Sequence, residues 1–169
     1  MKKINLDNVN KNLNLNKIQI KINHIIMNPD NRVFVVLNDE EKKQVGIELN
    51  NYEASMLSFV LQGFHKFSHI NTIHQLFIKS LKNLNSKITE INIESKVGDI
   101  IYCTLYMVDK NHNQAYSVVS LADALILSKI VECSIFVTQE TWEKFDVIDD
   151  WDYEDYILDI DDDDSDDVI

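Results

Sequence analysis

The sequence predicts an α+β domain: a duplicated strand–turn–strand–strand–helix unit, a mostly antiparallel sheet, and helices packed on it. The stretches from Gly46 to Leu57 and from Ser117 to Leu127 each run from an apolar strand pattern into a helix pattern. Each places a carboxylate followed by alanine, Glu53-Ala54 or Asp123-Ala124, in the first helical turn. The strands before them come as hairpins, without the long strand–helix alternation of a doubly wound parallel sheet.

The elements follow in order. From Ile18 to Ile26, Ile18, Ile20 and Ile22 alternate with Gln19, Lys21 and Asn23, a strand pattern. Met27-Asn28-Pro29-Asp30-Asn31 is a turn signal, and the Val- and Phe-rich run from Arg32 to Leu37 completes a hairpin. Gln44 to Leu49 is a third strand. Asn50 or Asn51 caps a helix from Tyr52 to Gln62, which stops at Gly63. A loop with Phe64, His65, Lys66, Phe67 and His69 leads to a helix over 72–84. Its predicted apolar stripe is Ile73, Leu76, Phe77, Leu81 and Leu84. The second half repeats the plan with strands at 87–93, 100–108 and 114–119, a helix capped by Ser120, a closing strand at 133–138 and a short helix to Phe145. Asp30-Asn31 in the first hairpin corresponds to Gly98-Asp99 in the second.

Charge divides the chain. Of 28 acidic residues, 13 fall between Asp146 and Ile169, where there is no Lys or Arg, so the other 15 face all 16 basic residues in the body. The net charge of −12 therefore belongs to an appendage. The near-neutral body can approach a polyanion but lacks the strongly basic footprint of a dedicated nucleic-acid binder. The expected organisation is an N-terminal extension over 1–16, a domain over 17–145 and an acidic tail over 146–169. The tail reads as solvated from Asp159 onward, and as an interaction segment where Trp151, Tyr153 and Tyr156 punctuate it. Cys103 and Cys133 read as ordinary strand residues of a reducing compartment. Lys2 and Lys3 precede no apolar h-region, so a secretory signal is not expected. No apolar run reaches the length of a membrane span. The abundance of Asn, Ile and Lys suggests an AT-rich genome, bacterial or plastid.

The residue types that could do chemistry are few. Glu53, His74 and Asp123 have the character needed to activate water and protonate a leaving oxygen. The bland alternative is that the two carboxylates complement their helix dipoles and His74 is a structural histidine. His65, His69 and His74 lack the spacing of a zinc pair on one helix face. Phe64, Phe67, His65 and Lys66 could stack on bases or touch phosphates, or plug the core beneath a helix connection. Tyr102, Tyr106 and Tyr116 read as sheet-face residues.

An ordered set of segments resembles the bifunctional nuclease domain family. It comprises Val45-Gly46-Ile47-Glu48-Leu49 leading into Glu53-Ala54, then His74-Gln75-Leu76, Gly98 to Leu105, Ala122-Asp123-Ala124-Leu125-Ile126-Leu127, and Cys133 to Val137. The family pattern has Arg-Pro-x-Thr before its His-Asp pair and Arg-Pro-Ser before Asp-Ala. Here Ile70, Asn71, Thr72 and Ile73 stand at the first place, Gln75 at the Asp, and Ser120, Leu121 and Ala122 at the second. Both family arginines, the natural clamps for a phosphate, are absent.

The resemblance implies a nuclease acting on RNA or DNA, with Glu53, His74 and Asp123 as its catalytic set. Glu53 and Asp123 would activate water or hold a divalent metal ion, and His74 would act as acid or base. No other cofactor is expected. The rival is a non-catalytic binding or assembly module of the same fold, whose acidic tail engages a basic partner. Expected partners are RNA or DNA and a second copy of the chain, not a membrane, inside a bacterial cell or a plastid.

Overall fold

The computed structural model describes residues 17–66, 71–98, 100–148 and 154–155. The expected N-terminal extension, Phe67, His69, Ile70, Asp99 and most of the acidic tail lie outside the described residues. The first half is a meander of β1 (Lys17–Met27), β2 (Val33–Asn38) and β3 (Gln44–Leu49), followed by α1 (Asn51–Leu61). A 3-10 turn at Phe64–Lys66 and α2 (Ile73–Asn83) lead to the second half. That half is β4 (Ser86–Val97), β5 (Ile100–Asp109), β6 (Gln114–Ser120) and α3 (Leu121–Val131), followed by β7 (Ile135–Thr138), a single helical turn α4 (Gln139–Trp142) and the two-residue β8 (Glu154–Asp155).

The sheet runs β3-β2-β1-β7-β4-β5-β6, with β8 pairing to β1. Every pairing is antiparallel except β4 with β7. The expected α+β class with a mostly antiparallel sheet is what the chain forms. After α3 the chain returns through the middle, and β7 joins the halves between β1 and β4. Bulges in β1 between Ile22 and His24, and at two places in β4, add local twist and curl the sheet. As a result both edge strands, β3 and β6, line one cleft.

The duplication is visible atom by atom. Asp39 and Asp109 each accept, through Oδ1, the backbone N–H of the residue four positions on, Lys43 or Asn113, at 2.9 Å. The residue three positions on is left-handed in both turns, Lys42 at φ 70° and His112 at φ 63°. Asp39 and Asp109, Asn50 and Ser120, Glu53 and Asp123 are all separated by 70 positions. The registers match at the same offset: Leu37 opposes Val45, and Met107 opposes Ala115. The first hairpin and its counterpart also share a left-handed turn residue, Asn31 at φ 60° and Gly98 at φ 59°.

α3 is the centre of the core. Leu121, Ala122 and every residue from Ala124 to Ser128 are buried, as expected of a helix apolar nearly all round. It packs on α1, α2 and the second-half strands. Leu57 and Leu125 from the helices meet Val35, Leu37, Ile91 and Leu105 from the sheet in one continuous cluster.

Two features depart from the sequence reading. The apolar stripe expected to bury α2 faces outward: Ile73, Leu76, Phe77 and Leu84 are exposed, and the helix buries His74 and Ile78 instead. The inward stripe, completed by Leu81, sits beside the predicted one on the helix surface. A part-buried hydrogen bond to His74, described below, holds that face inward.

Packing also continues past Phe145, the expected end of the folded body. Gly46 N–H donates to the Asp146 carbonyl (3.2 Å), and Ile148 N–H donates to the Gln44 carbonyl (3.3 Å). Ile148 is 2% exposed and joins Ile26, Phe34 and Val36 in a second apolar cluster. Residues 146–148 thus act as a strap along the edge of β3.

Candidate active site

Three helix N-termini carry the candidate residues. Asn50 caps α1, and its side chain accepts from Glu53 N–H at 2.9 Å while Glu53 Oε2 accepts from Asn50 N–H at 3.0 Å. This reciprocal box satisfies two otherwise free donors. Thr72 and Gln75 form the same box on α2. Ser120 caps α3 and accepts from Asp123 N–H at 3.2 Å. The carboxylates stand in first turns because they complement the positive helix end.

The structure brings His74 and Asp123 together. His74 Nε2 lies 2.9 Å from Asp123 Oδ1, and the Ser120 hydroxyl donates to Asp123 Oδ2 at 2.8 Å. The order is imidazole–carboxylate–hydroxyl, with Asp123 in the middle. It is therefore not the serine–histidine–aspartate relay of hydrolases, in which the imidazole touches the hydroxyl. The His74 side chain is 9% exposed and that of Asp123 is 51% exposed. The carboxylate is the group presented to solvent, and the imidazole holds it from behind. His74 Nδ1 is buried and has no hydrogen-bond partner among the described residues.

Glu53 does not join this constellation directly. It lines a cleft of about 460 Å³ with Glu48 and Leu49 from the first half and Tyr102, Val118 and Ser120 from the second. Ser120 is the residue shared by the cleft and the Asp123 hydrogen-bond set. Its role as second partner of Asp123 was missed in the sequence reading, though its spacing of three residues before an acid is the signature of a capping side chain.

The cleft is poor in positive charge. No Lys or Arg lines it among the described residues. Arg32 is the chain's single arginine, and it is spent on Glu48, donating through Nε at 3.0 Å and pairing again through Nη2. That hydrogen bond holds the Glu48 carboxyl below its ordinary value. Positions where the resembling family carries clamp arginines hold Ser120, engaged with Asp123, and Ile70. Gln75, standing at the family's Asp, closes the α2 cap and donates through Nε2 to the His65 carbonyl at 2.7 Å.

Among the described residues no three His, Cys, Asp or Glu side chains gather as a metal cage. Both Asp123 oxygens already accept a hydrogen bond, and the Glu53 carboxylate closes its own cap.

A second cleft, of about 620 Å³, opens at the other end of the helix layer, where α1 and α3 terminate. Lys21, Lys66 and Lys129 line it with His65, whose side chain is buried and whose Nδ1 has no hydrogen-bond partner. Lys66 also faces Glu132 at 3.7 Å. Phe64 is partly exposed against Phe59, with ring centroids 5.9 Å apart, so it does not plug the core. Tyr102, Tyr106 and Tyr116 stand on the exposed face of the sheet. Both thiols are raised, Cys103 to about 12 and Cys133 to about 11, chiefly by burial. Neither is an activated nucleophile.

No helix among the described residues is long and apolar enough to cross a membrane. No curated protein matches the chain. The family model described as the bifunctional nuclease domain matches residues 35–149, from within β2 through the strap that follows α4. The duplicated halves, the carboxylate at matching helix starts and this match over most of the chain agree, and the protein belongs to the bifunctional nuclease domain family.

Proposed function

We propose that this domain hydrolyses phosphodiester bonds in RNA or DNA, with Asp123 as the proton acceptor. The observation that carries the reading is the half-exposed Asp123 carboxylate held from both sides, by His74 and by Ser120, the second of which lines a cleft. A carboxylate fixed in orientation is ready to take the proton from an attacking water or ribose hydroxyl without reorganising. His74 is a positioning residue: its Nε2 holds Asp123 Oδ1 at 2.9 Å. Glu53 lines the cleft that Ser120 also lines and is the second candidate residue for the reaction. The free N–H groups of the helix starts offer the partial positive charge that phosphate oxygens need.

The test is cleavage of short single-stranded RNA and DNA by purified protein, with chelator and with added Mg²⁺ in parallel arms. Asp123→Asn keeps the side chain's shape but removes the base, and it should lower the rate by about 100-fold or more. Unchanged cleavage by Asp123→Asn in a folded protein sinks the assignment.

A second reading is favoured by the charge of the cleft. Glu48 and Glu53 line it, Arg32 is paired with Glu48, and no Lys or Arg lines it among the described residues. A phosphate entering there meets carboxylates. Under this reading the domain binds without cutting, and nucleic acid meets Lys21, Lys66 and Lys129 at the other cleft. Absence of cleavage under every metal condition, together with binding that weakens as salt rises and as these lysines are replaced, selects it.

A further inference from the structure

The two halves match strand for strand, but their outer edges are treated differently. The edge of β3 is filled by the strap: Val147 bridges Val45, Gly46 N–H donates to Asp146 and Ile148 N–H donates to Gln44. The shared register carries Gly46 to Tyr116 and Gln44 to Gln114. The Tyr116 N–H and the Gln114 carbonyl therefore point outward along the free edge of β6. β6 ends the sheet and, among the described residues, pairs only with β5. Its sequence, Gln114-Ala115-Tyr116-Ser117-Val118-Val119-Ser120, has no charge and no proline, the usual guards of an edge strand. Tyr116 is 76% and Val118 is 61% exposed, on the face that also shows Tyr102 and Tyr106. In the first half the corresponding face is covered by Ile148.

We propose that the outer edge of β6 is a strand-addition site, and that its occupant is the chain's own Asp167-Val168-Ile169. This tripeptide repeats Asp146-Val147-Ile148, the one that fills the edge of β3. The Asp167 carbonyl accepts from Tyr116 N–H, Ile169 N–H donates to the Gln114 carbonyl, and the Ile169 side chain covers Tyr106, the counterpart of Val36. Reach permits it. The twelve steps of chain from Asp155 to Asp167 extend about 40 Å, and four strand spacings from β1 to β6 amount to about 19 Å. Tethering keeps the segment at an effective concentration in the millimolar range, so a short strand suffices. The proposal stands whether or not the cleft is catalytic.

Amide hydrogen exchange read by NMR on the full chain tests it. The Tyr116 amide should exchange at least tenfold more slowly in the native chain than in a Val168→Asp, Ile169→Asp double variant, while Gly46 stays equally protected in both. Tyr116→Pro removes the outward N–H, a change that an edge strand tolerates. It should release the Ile169 amide to fast exchange. Equal Tyr116 rates in native and double-variant chains overturn the proposal, as does Ile169 protection that survives Tyr116→Pro. Tyr116 protection that rises with protein concentration and persists in the double variant means a second copy fills the edge, which also overturns it.

Discussion

His74 and Asp123, 49 positions apart in sequence, meet at 2.9 Å, with the imidazole buried and the carboxylate half in solvent. The arrangement divides the labour. Under the proposed function the acid–base group must reach the reacting atoms; of this pair Asp123 is the one open to solvent, and the buried His74 holds it in place. His74→Phe fills the site but removes the hydrogen bond. It should cost about 0.5–1.5 kcal/mol of stability and lower kcat about tenfold, against about 100-fold or more for Asp123→Asn. His74→Gln, which keeps an N–H donor, should recover part of the loss. Equal losses for His74→Phe and Asp123→Asn, with no rescue by glutamine, would return His74 to a direct role.

The strap after α4 makes a sharper prediction about the acidic end of the chain. A chain stopped after Leu158 keeps Ile148 in its cluster and should lose only what the docked Asp167–Ile169 segment contributes. A chain stopped after Phe145 loses the burial of Ile148, about 1.5–3 kcal/mol, and exposes the edge of β3. Urea denaturation of the two truncations measures the difference. Identical midpoints would mean that the strap contributes nothing.

Asp39 and Asp109 occupy the same turn position but differ in surroundings. Asp39 is buried and accepts from Trp142 Nε1 at 2.8 Å through Oδ2, tying the first-half turn to α4. Asp39→Ala leaves that buried indole N–H without a partner and should destabilise by about 1–3 kcal/mol. Among the described residues Asp109 bonds its own turn, through Asn111 and Asn113, so Asp109→Ala should cost clearly less. Thermal melts of the two variants check the order, and equal costs would refute the tie to α4.

Most of the fold was legible because strand alternation and capping are local signals. Ile18, Ile20 and Ile22 mark β1, and Asn50, Thr72 and Ser120 mark the three helix starts. The inward face of α2 was not legible. The stripes Ile73–Leu76–Phe77 and His74–Ile78–Leu81 lie side by side, and apolarity alone favours the first. What decides the matter is Asp123, far away in sequence, which gives His74 a partner at the core boundary. The strap was hidden for a similar reason: Val147 and Ile148 are only two apolar residues in an acidic run, and the edge they fill exists only once β3 has folded.

The thiols supply a prediction with a defined pH window. Burial raises Cys103 from an ordinary value near 9 to about 12 and Cys133 to about 11. A raised value means that the fold favours the protonated thiol. The stability tied to it is complete below pH 9 and is lost as pH rises through the folded values, because the unfolded chain ionises first. Urea midpoints should therefore hold steady from pH 7 to 8.5 and decline above pH 9, and Cys103→Ser, Cys133→Ser should flatten that decline. The thiolate is the reactive form, so both residues should resist alkylation in the folded chain at pH 7.5, Cys103 more than the partly exposed Cys133. Both should react at once in urea. Rapid labelling of Cys103 in the folded protein would contradict its place in the core beside Leu105.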